Sequence, residues 1–526
     1  MRERIERMLF SSNSFIFLFL PASLLGYQLL SRFGRNALLA WLALISLFFY
    51  GWWNPAYLIL LLSSIAFNFF FAYLIGGAGS ETVRSRWLAA AITSNLLLLV
   101  WFKYLFPLLN FFHRFGIVHH RFENVLLPLG ISFFTFTQIS YLIDLRQGIA
   151  KQQGLLPYTV FVTFFPHLIA GPIIHPREIM PQLEQGRLRG LRSDDMALGL
   201  TWFILGLGKK VLIADRMAPL ADVLYAHPTG FGCSATWLGV ICYTIQLYFD
   251  FSGYSDMALG LARMFSIRFP LNFDSPYKAR SIIEFWERWH ITLSRYLADY
   301  LYTPILRSIN GRRMDAGKKV SRRAQITLEG FTQMVFFPLM ITMLIAGIWH
   351  GAGIQFLIFG LLHGTYLVIN HAWRLLTPKG HRWYRKLPVS VSVAITLIGV
   401  VVGQIFFRAN GVHDAFYLLG TMIGVHGIGP SLAGNPLIEE IPRTSVFLTR
   451  TAPAIFTSAL CFIIIWGMPN TQEILGQIAR DEVRLPSLLP GLQWRATATW
   501  SLAVTVLFCL SILMLDTTTR FLYFQF

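Results

Sequence analysis

The sequence predicts an all-α polytopic membrane protein, and three observations support this fold class. Hydrophobic residues make up 55% of the 526 residues and charged residues only 13%, about half the charged share of ordinary soluble domains. Apolar runs of about 20 residues, the length that crosses a bilayer, recur along the chain, and the mean hydropathy is +0.54. Arginines and lysines stand in short clusters between these runs, as in cytoplasmic loops of membrane proteins. Composition therefore excludes a soluble enzyme, a disordered chain and a disulfide scaffold.

The apolar runs predict roughly eleven to thirteen membrane segments in one domain that covers residues 1–526. N-terminal spans lie within 1–110, a core within 123–373 and C-terminal spans within 388–526. Regular candidates are 12–30, 36–53, 55–75, 87–108, 330–348, 352–373, 388–407, 449–467 and 498–515. We interpret the first as a retained helix rather than a cleaved signal peptide.

The middle of the chain is apolar but interrupted by Gly, Pro, Asp and Lys. The interrupted segments are 123–145, 155–174, 195–225 and 234–265. Irregular backbone at membrane depth is tolerated only where protein or a water-filled cavity surrounds it. A functional site is therefore expected in this part of the chain.

The placement of charge predicts sidedness and argues against nucleic acid as a partner. The net charge is +18, but no separate basic domain is present. The basic stretches 307–323 and 374–386 are predicted to be cytoplasmic. Two spans separate them, so the intervening turn 348–353 is expected on the far side or within the membrane. The four scattered cysteines contain no CxxC pair, so neither a zinc site nor a disulfide framework is predicted.

Common soluble-enzyme motifs are missing from the sequence. It contains no GxSxG, HExxH, Gx4GK[ST], GxGxxG or HxxxxD. These absences argue against a serine hydrolase, a zincin, a P-loop motor and a nucleotide-dependent dehydrogenase. Polar residues embedded in apolar sequence remain as candidates, because ionisable groups in membrane segments are costly and commonly functional.

The first candidate is Trp349-His350-Gly351. A histidine titrates near neutral pH and suits a general base on a hydroxyl nucleophile. Gly351 and Gly353 allow close approach of the backbone. The structural alternative is a histidine at a helix end that is bonded to a carbonyl.

The second candidate lies within residues 284–304. As a continuous helix, this stretch would place Trp286, Trp289 and His290 on one face. Glu287, three residues before His290, would then be able to orient the imidazole ring. The alternative, which the residues alone favour, is an interfacial amphipathic helix with tryptophans at headgroup level.

The third candidate is the polar run within residues 246–260. Asp250 and Asp256 stand in apolar sequence beside Ser252. The acids are able to position a substrate or a histidine. They are equally able to bond backbone that Gly253 opens.

Four further polar features have structural interpretations or open alternatives. His167, between two prolines, is expected to be structural in a broken helix, and His363 is expected to serve packing. Polar side chains of 128–145 either line a path or bond neighbouring helices. Lys209 and Lys210 are expected to snorkel or to meet an anionic group.

Taken together, these segments resemble the membrane-bound O-acyltransferase superfamily, and more narrowly its bacterial alginate O-acetylation branch. The resemblance covers nearly the whole chain. In family order it includes FSS with FLFLP near the start, PLGISFFTF, FPHLIAGP, QLYFDFSGYSDMALGL, EFWERWHITLSRYLADYLYTP, GIWHGAG, IFFRA and the ending FLYFQF. Two departures occur. A long basic stretch follows Thr303-Pro304 where relatives have a short turn, and Glu287 stands where relatives often carry Arg.

The resemblance implies a ring-like bundle of membrane helices around a central tunnel, and acyl transfer from a thioester to a hydroxyl. His350 is implied as the catalytic histidine and His290 as the second one. Substrate-binding or tunnel residues are expected among Trp349, Trp289, Asp250, Asp256, Ser252 and Glu287. No metal and no tightly bound cofactor is expected, and acetyl-CoA is the implied donor.

The implied protein is a multi-pass O-acetyltransferase of the bacterial inner membrane. Its product serves an exported polysaccharide of the alginate or cellulose type, with a periplasmic acetyltransferase as partner. One alternative is D-alanyl transfer to teichoic acid from a carrier-protein thioester. The other is a solute transporter, which broken helices and buried acids would also suit.

Overall fold

The computed structural model describes residues 8–120, 127–184, 190–377, 388–427, 451–477 and 491–515, with the single residues 122, 188, 489 and 522. Every regular element in these residues is helical, which confirms the all-α prediction. Contacts group the chain into two units. Unit 1 comprises residues 1–211, 251–271 and 495–525, and unit 2 comprises 212–250, 272–494 and 526.

Eight helices of the described residues are long and apolar enough to cross a membrane. They are Phe15–Phe33, Arg35–Trp53, Pro55–Gly77, Glu81–His113, Ser193–Ala226, Leu328–His350, Ile354–Leu376 and Val389–Arg408. Shorter apolar helices are Pro453–Gly467 and Ala498–Leu513. These spans confirm a multi-pass membrane protein. Residues 378–386 of the second basic stretch and most of the FLYFQF ending lie outside the described residues.

The first spans of unit 1 are delimited by residues that cap or break helices. Asn54 ends Arg35–Trp53 and caps Pro55–Gly77, because its side chain accepts a backbone N–H of the new helix. The proline at the first helical position lacks an N–H that would otherwise be unsatisfied. Ser80 caps Glu81–Val100 in the same way. Short connections follow from these caps, so the helices are sequential hairpins.

Polar side chains join the helices inside unit 1. Asn68 and Asn95 exchange two amide hydrogen bonds of 3.1 and 2.7 Å, and each also donates to a carbonyl one turn earlier in its own helix. Gln138 donates to Ser64 at 2.9 Å and accepts from Tyr158 at 3.2 Å. Interhelical hydrogen bonds of this kind contribute about 0.6 kcal/mol each. The polar residues of 128–145 thus include a helix-bonding member.

Residues 155–174, which the sequence predicted as an apolar but interrupted segment, form no continuous span. The structure has the short helices Leu155–Thr163 and Phe165–Leu168, with Phe164 outside helical geometry between them. Pro166 follows, and a proline removes an N–H that a helix would need. His167 is buried, and its Nε2 lies 2.9 Å from the carbonyl of Phe161. The predicted broken helix is therefore confirmed.

Four glycines bring two helices of unit 1 into backbone contact. A Cβ on Gly199 would lie 2.6 Å from the carbonyl oxygen of Gly260, and one on Gly206 would lie 2.6 Å from that of Gly253. Such distances are shorter than any side chain tolerates. Gly199 and Gly206 lie seven residues apart in Ser193–Gly208, and Gly253 and Gly260 lie seven residues apart in Cys233–Met264. The backbones of the two helices consequently come into direct contact.

Unit 2 combines long spans with short helices. In order, its further helices are Ile282–Arg288, Ile291–Leu297, Thr303–Asp315, Val412–Met422, Thr451–Gly467 and Thr471–Ile474. A π-helical turn, Ala298–Tyr302, joins Ile291–Leu297 to Thr303–Asp315. Another π-helical turn, Thr332–Phe336, precedes Pro338 within Leu328–His350. Pro338 therefore follows a local change of helical pitch in this span.

The basic stretch 307–323 is held against the start of the span 328–350. Arg313, which is buried, donates to Gln333 and to the carbonyl of Lys319. Its guanidinium also lies 3.8 Å from the Glu329 carboxylate. Because these partners lie in the first turns of the span, the stretch is anchored there rather than detached. Two helices, 328–350 and 354–376, follow it, as the sidedness argument expected.

Candidate active site

His290 interrupts the helix that the sequence predicted across 284–304. Ile282–Arg288 ends before it and Ile291–Leu297 begins after it. His290 itself has φ 44° and ψ 53°, in the left-handed region. For a residue with a side chain this conformation costs about 1–3 kcal/mol and is found where the surrounding structure enforces it. The continuous-helix prediction is therefore wrong, and so is the shared helical face derived from it.

Asn272 enforces this conformation and fixes the protonation of the imidazole. Its Oδ1 accepts the backbone N–H of Thr292 at 3.3 Å and the Thr292 hydroxyl at 2.8 Å. A backbone N–H can only donate, so the atom facing it is the amide oxygen. Nδ1 of His290 lies 3.0 Å from the same oxygen. That ring nitrogen must consequently carry the proton, which leaves the lone pair on Nε2.

The imidazole of His290 is neutral at physiological pH. The side chain is 1% exposed, and this burial lowers its pKa to about 3 because desolvation disfavours the imidazolium. A neutral ring with its proton on Nδ1 can accept a hydrogen bond or a proton at Nε2. It cannot donate a hydrogen bond from that nitrogen. The tautomer therefore limits what His290 can do for a substrate.

Glu287 is exposed, and the partner of the His290 Nδ1 in the structure is Asn272 instead. Trp289 lies half-buried among aromatic rings. Its ring stacks on those of Phe285 and Tyr277, with centroid distances of 5.6 and 6.0 Å. The place of Glu287 and Trp289 along a substrate path stays a prediction.

His350 is the last residue of the helix Phe337–His350. It is half-buried, whereas Trp349 beside it is buried. The imidazole makes edge contacts with Phe359 and Phe407, with centroid distances of 5.8 and 4.9 Å. An imidazole held by apolar rings and still partly open can meet a substrate. The geometry thus suits either a catalytic histidine or a helix-end histidine.

Glycines shape the turn that follows His350. Gly351 is in extended conformation, and a Cβ there would lie 2.2 Å from the ring of Phe356. One turn earlier, a Cβ on Gly347 would lie 2.4 Å from the carbonyl oxygen of Phe356. A Cβ on Gly360 would lie 2.4 Å from the carbonyl oxygen of Met343. Small residues therefore let the helices 337–350 and 354–376 pack tightly and fix the end that bears His350.

Ring contacts connect the two histidine segments within unit 2. From His350, Phe359 leads to His363 at a centroid distance of 4.6 Å. From His363, Phe285 lies at 6.3 Å and in turn stacks on Trp289, the neighbour of His290. The residues that the sequence singled out separately are thus joined through one aromatic cluster.

Asp256 belongs to a different contact group, in unit 1. Its Oδ2 lies 2.6 Å from the Lys209 ammonium, and its Oδ1 accepts the Trp202 indole N–H at 3.2 Å. The carboxylate is 1% exposed, and a buried carboxylate requires such partners. The prediction that Lys209 meets an anionic group is confirmed. This pairing gives Asp256 a structural explanation that needs no substrate.

Asp250 and Ser252 are both buried, at 1% exposure, in the helix Cys233–Met264. Ser252 Oγ has no hydrogen-bond partner among the described residues. Their role in substrate binding stays a prediction. In the described part of the chain, no group of three or more His, Cys, Asp or Glu side chains is placed to hold a metal ion.

Sequence reasoning missed Asn272 and Thr292. Asn272 opens the stretch Asn-Phe-Asp-Ser-Pro, which is irregular and carries no hydrophobic period. Asn and Ser-Pro mark turns, so the stretch was recognisable as a loop. Only the fold shows that this loop returns to His290, where the backbone N–H of Asp274 also bonds the Arg288 carbonyl.

Comparisons with known proteins identify the family that the chain resembles. The membrane-bound O-acyltransferase family matches residues 131–315. A peptidoglycan O-acetyltransferase from Helicobacter pylori is 36% identical, over 92% of this chain and 94% of its own. A probable alginate O-acetylase from Azotobacter vinelandii is 36% identical, over 99% of this chain and 100% of its own. A teichoic acid D-alanyltransferase from Bacillus subtilis is 26% identical, over 56% of this chain and 72% of its own.

Proposed function

The chain belongs to the membrane-bound O-acyltransferase family, and from this premise we propose that it transfers acetyl groups from acetyl-CoA towards hydroxyls of an exported polysaccharide. It is an acyltransferase enzyme and a multi-pass membrane protein. Membership of an acyltransferase family favours the enzyme over the solute-transporter alternative.

One structural observation supports the proposed chemistry. Unit 2 holds two histidines of different character, joined by an aromatic cluster. His350 is half-open at a helix end, and His290 is buried, neutral and fixed in one tautomer by Asn272. A proton acceptor that a substrate can reach, supported by a pre-organised second histidine, suits transfer to a hydroxyl.

In the proposed reaction, His350 acts as the general base. It takes the proton from the acceptor hydroxyl while that oxygen attacks the thioester carbonyl carbon. The carbon–sulfur bond of the tetrahedral intermediate then breaks, and the leaving thiolate takes the proton from the imidazolium. The carbonyl end of the helix 337–350 carries partial negative charge, which favours the positive charge that His350 gains. The products are an acyl ester and a free thiol.

The oxyanion of the intermediate requires hydrogen-bond donors. His290 Nε2 carries a lone pair, so His290 does not donate from that atom to the thioester carbonyl. Its proposed role is to accept a hydrogen bond, from the acceptor hydroxyl or from His350. The donors are then either the Trp349 indole N–H or backbone N–H groups of the turn after His350.

The names of the relatives support the substrate class. Two of them are O-acetylating enzymes named for peptidoglycan and alginate. We propose a polysaccharide of this exported kind as the final acceptor, a periplasmic acetyltransferase as the immediate partner, and the bacterial inner membrane as the location. Acetyl-CoA is a substrate in this scheme, and no resident cofactor is part of it.

The test uses membranes that contain the wild type, His350→Ala or the control His413→Ala, each quantified by immunoblot. His413 lies in unit 2 with an exposed side chain, so its removal leaves the site intact. Radiolabelled acetyl-CoA is added, and label transfer and CoA release are followed. We expect turnover by the wild type and the control, and a loss of at least a hundredfold in His350→Ala.

Equal turnover by His350→Ala and wild type would remove His350 from the chemical step. Turnover only when a D-alanyl carrier protein replaces acetyl-CoA would favour the teichoic acid alternative, which the 26% identity to a D-alanyltransferase keeps open.

A further inference from the structure

His363 is a buried histidine that the proposed chemistry does not use. It lies in the helix Ile354–Leu376 with 1% of its surface exposed. Its Nδ1 lies 3.3 Å from the indole nitrogen Nε1 of Trp286. An indole N–H only donates, so Nδ1 carries a lone pair and accepts. The contact therefore joins the helix 354–376 to the short helix 282–288 through a defined hydrogen bond.

The surroundings of His363 leave the ring little freedom. On one side, its ring lies 4.6 Å from that of Phe359, which contacts His350. On the other side, Trp286 packs edge-on at 5.2 Å. The remaining edge lies over Gly403, where an added Cβ would be 2.5 Å from Nε2. Aromatic pairs of this geometry prefer defined separations, so the ring is held in one place.

We propose that His363 is a positioning residue: by accepting the Trp286 hydrogen bond, it holds the segment that carries His290 against the helix that supports His350. The proposal rests on the proposed acyl transfer for its kinetic part. Trp286 is four residues before His290, and the strained conformation at His290 requires surroundings that maintain it.

Loss of this hydrogen bond affects catalysis through geometry. Without an acceptor at residue 363, the indole N–H of the half-buried Trp286 loses its partner, and the short helix is free to shift. A displacement of about 1 Å among catalytic groups lowers the reaction rate by up to about a hundredfold. Because the displaced residue, His290, acts in the proposed chemical step, we expect the rate of that step to fall more than the affinity for the donor.

The test compares His363→Leu, which removes the acceptor, with His363→Asn, whose Oδ1 can replace Nδ1. Gly403→Ala pushes a methyl group into the imidazole, and Gly399→Ala is its matched control one turn earlier. A Cβ on Gly399 would meet nothing closer than the Tyr366 ring at 3.6 Å, an ordinary contact. All variants are compared for abundance and thermal stability in detergent.

For acetyl-CoA turnover we expect His363→Leu and Gly403→Ala to lower kcat about tenfold or more, with KM within about twofold. His363→Asn and Gly399→Ala should stay within about threefold of wild-type kcat. A uniform loss of kcat in both His363 variants, in proportion to lost folded protein, would reduce His363 to a packing residue and overturn the proposal.

A second readout does not depend on the donor. Diethyl pyrocarbonate modifies accessible neutral imidazoles, and mass spectrometry locates the modified histidines. His290 should be protected in the wild type, His363→Asn and Gly399→Ala, and reactive in His363→Leu and Gly403→Ala. His413 should react in every variant, because it is exposed, and His167 in none, because it is buried.

Protection of His290 in all variants would overturn the positioning role, whatever the kinetic result. Release of His290 in His363→Leu, with no acetyl-CoA turnover even by the wild type, would support the positioning role and reject the proposed donor. The two proposals therefore fail separately.

Discussion

Buried asparagines of the two units show how differently the same side chain is used. In unit 1, Asn68 and Asn95 complete each other with a reciprocal pair of amide hydrogen bonds between regular helices. In unit 2, the side-chain oxygen of Asn272 accepts three hydrogen bonds, two from Thr292 and one from His290, in a region of irregular backbone. The Asn68–Asn95 pair is a symmetric link between helices. The hydrogen bonds of Asn272 instead include one to an imidazole, whose tautomer they determine.

The comparison teaches where conformational strain is found. The Asn68–Asn95 contact forms between residues in the interior of two regular helices. The contact of Asn272 coincides with one of the non-glycine residues of positive φ, His290. Strain of this kind is retained where surrounding contacts over-determine the backbone, which is common at active sites. Buried amides thus stabilise unit 1 and organise the proposed site in unit 2.

The largest expected effect comes from replacing Asn272, with the replacement of Asn68 as the comparison. Asn272→Leu leaves the Thr292 N–H, its hydroxyl and the His290 Nδ1–H without their acceptor, at about 1–3 kcal/mol for each buried group. Acetyl transfer per folded molecule should fall at least a hundredfold. Asn68→Leu should lower the folded amount but leave the rate per folded molecule within about threefold. The measurement is label transfer divided by the monodisperse fraction on size exclusion.

If Asn68→Leu lost as much specific activity as Asn272→Leu, the distinction between a structural and an organising amide would be wrong.

Whether Asn68 and Asn95 interact directly can be tested by replacing both residues. A single Asn68→Leu leaves the Asn95 amide unpaired across the helix interface, at a cost of about 1–3 kcal/mol. The double variant Asn68→Leu/Asn95→Leu replaces both partners by apolar groups and should recover most of that loss. Thermal unfolding in detergent, followed for the wild type, both single variants and the double variant, measures the coupling. Additive losses in the double variant would contradict a direct pairwise interaction.

A smaller effect is expected from pH. The pKa of His290 is about 3 when folded and about 6.5 when unfolded. Between these values the unfolded chain binds an extra proton, so this contribution is intact above about pH 6.5 and declines as pH falls towards 3. The slope is at most about 1.4 kcal/mol per pH unit. Thermal stability from pH 7.5 to 5 should fall less steeply in His290→Gln than in the wild type.

The control for this prediction is His413→Gln, which changes an exposed histidine. Its pH profile should match that of the wild type. A His290→Gln profile as steep as the wild-type profile would mean that His290 is hydrated in the folded protein.

Most of the fold was predictable because hydropathy specifies spanning helices directly. The predicted segments 36–53 and 55–75 differ from the observed helices by two residues or fewer at each end. The segment 155–174 was recognisable as an interrupted apolar segment, but the exact position of the interruption, at Phe164 between two short helices, was not. The number of spans in the middle of the chain depends on such breaks.

The candidate site was predictable only in its histidines. His290 and His350 stand out because a titratable group in apolar sequence is costly. Asn272 has no such mark, since a polar residue in a loop is ordinary. The expected orienting role of Glu287 assumed an unbroken helix. The helix instead ends at Arg288, and the Glu287 side chain is exposed. Contacts that depend on tertiary geometry leave no periodic trace in the sequence.

The glycine contacts of unit 1 bear on how this protein is able to vary. Where two helices touch through their backbones, no side chain at the crossing needs a matching partner across it. Other side chains of these helices are constrained by partners of their own, as Trp202 and Lys209 are by Asp256. The restriction falls on Gly199, Gly206, Gly253 and Gly260, where even a methyl group is too large. A side chain at any of these four positions, which lie seven residues apart on each helix, would therefore force the two helix backbones apart.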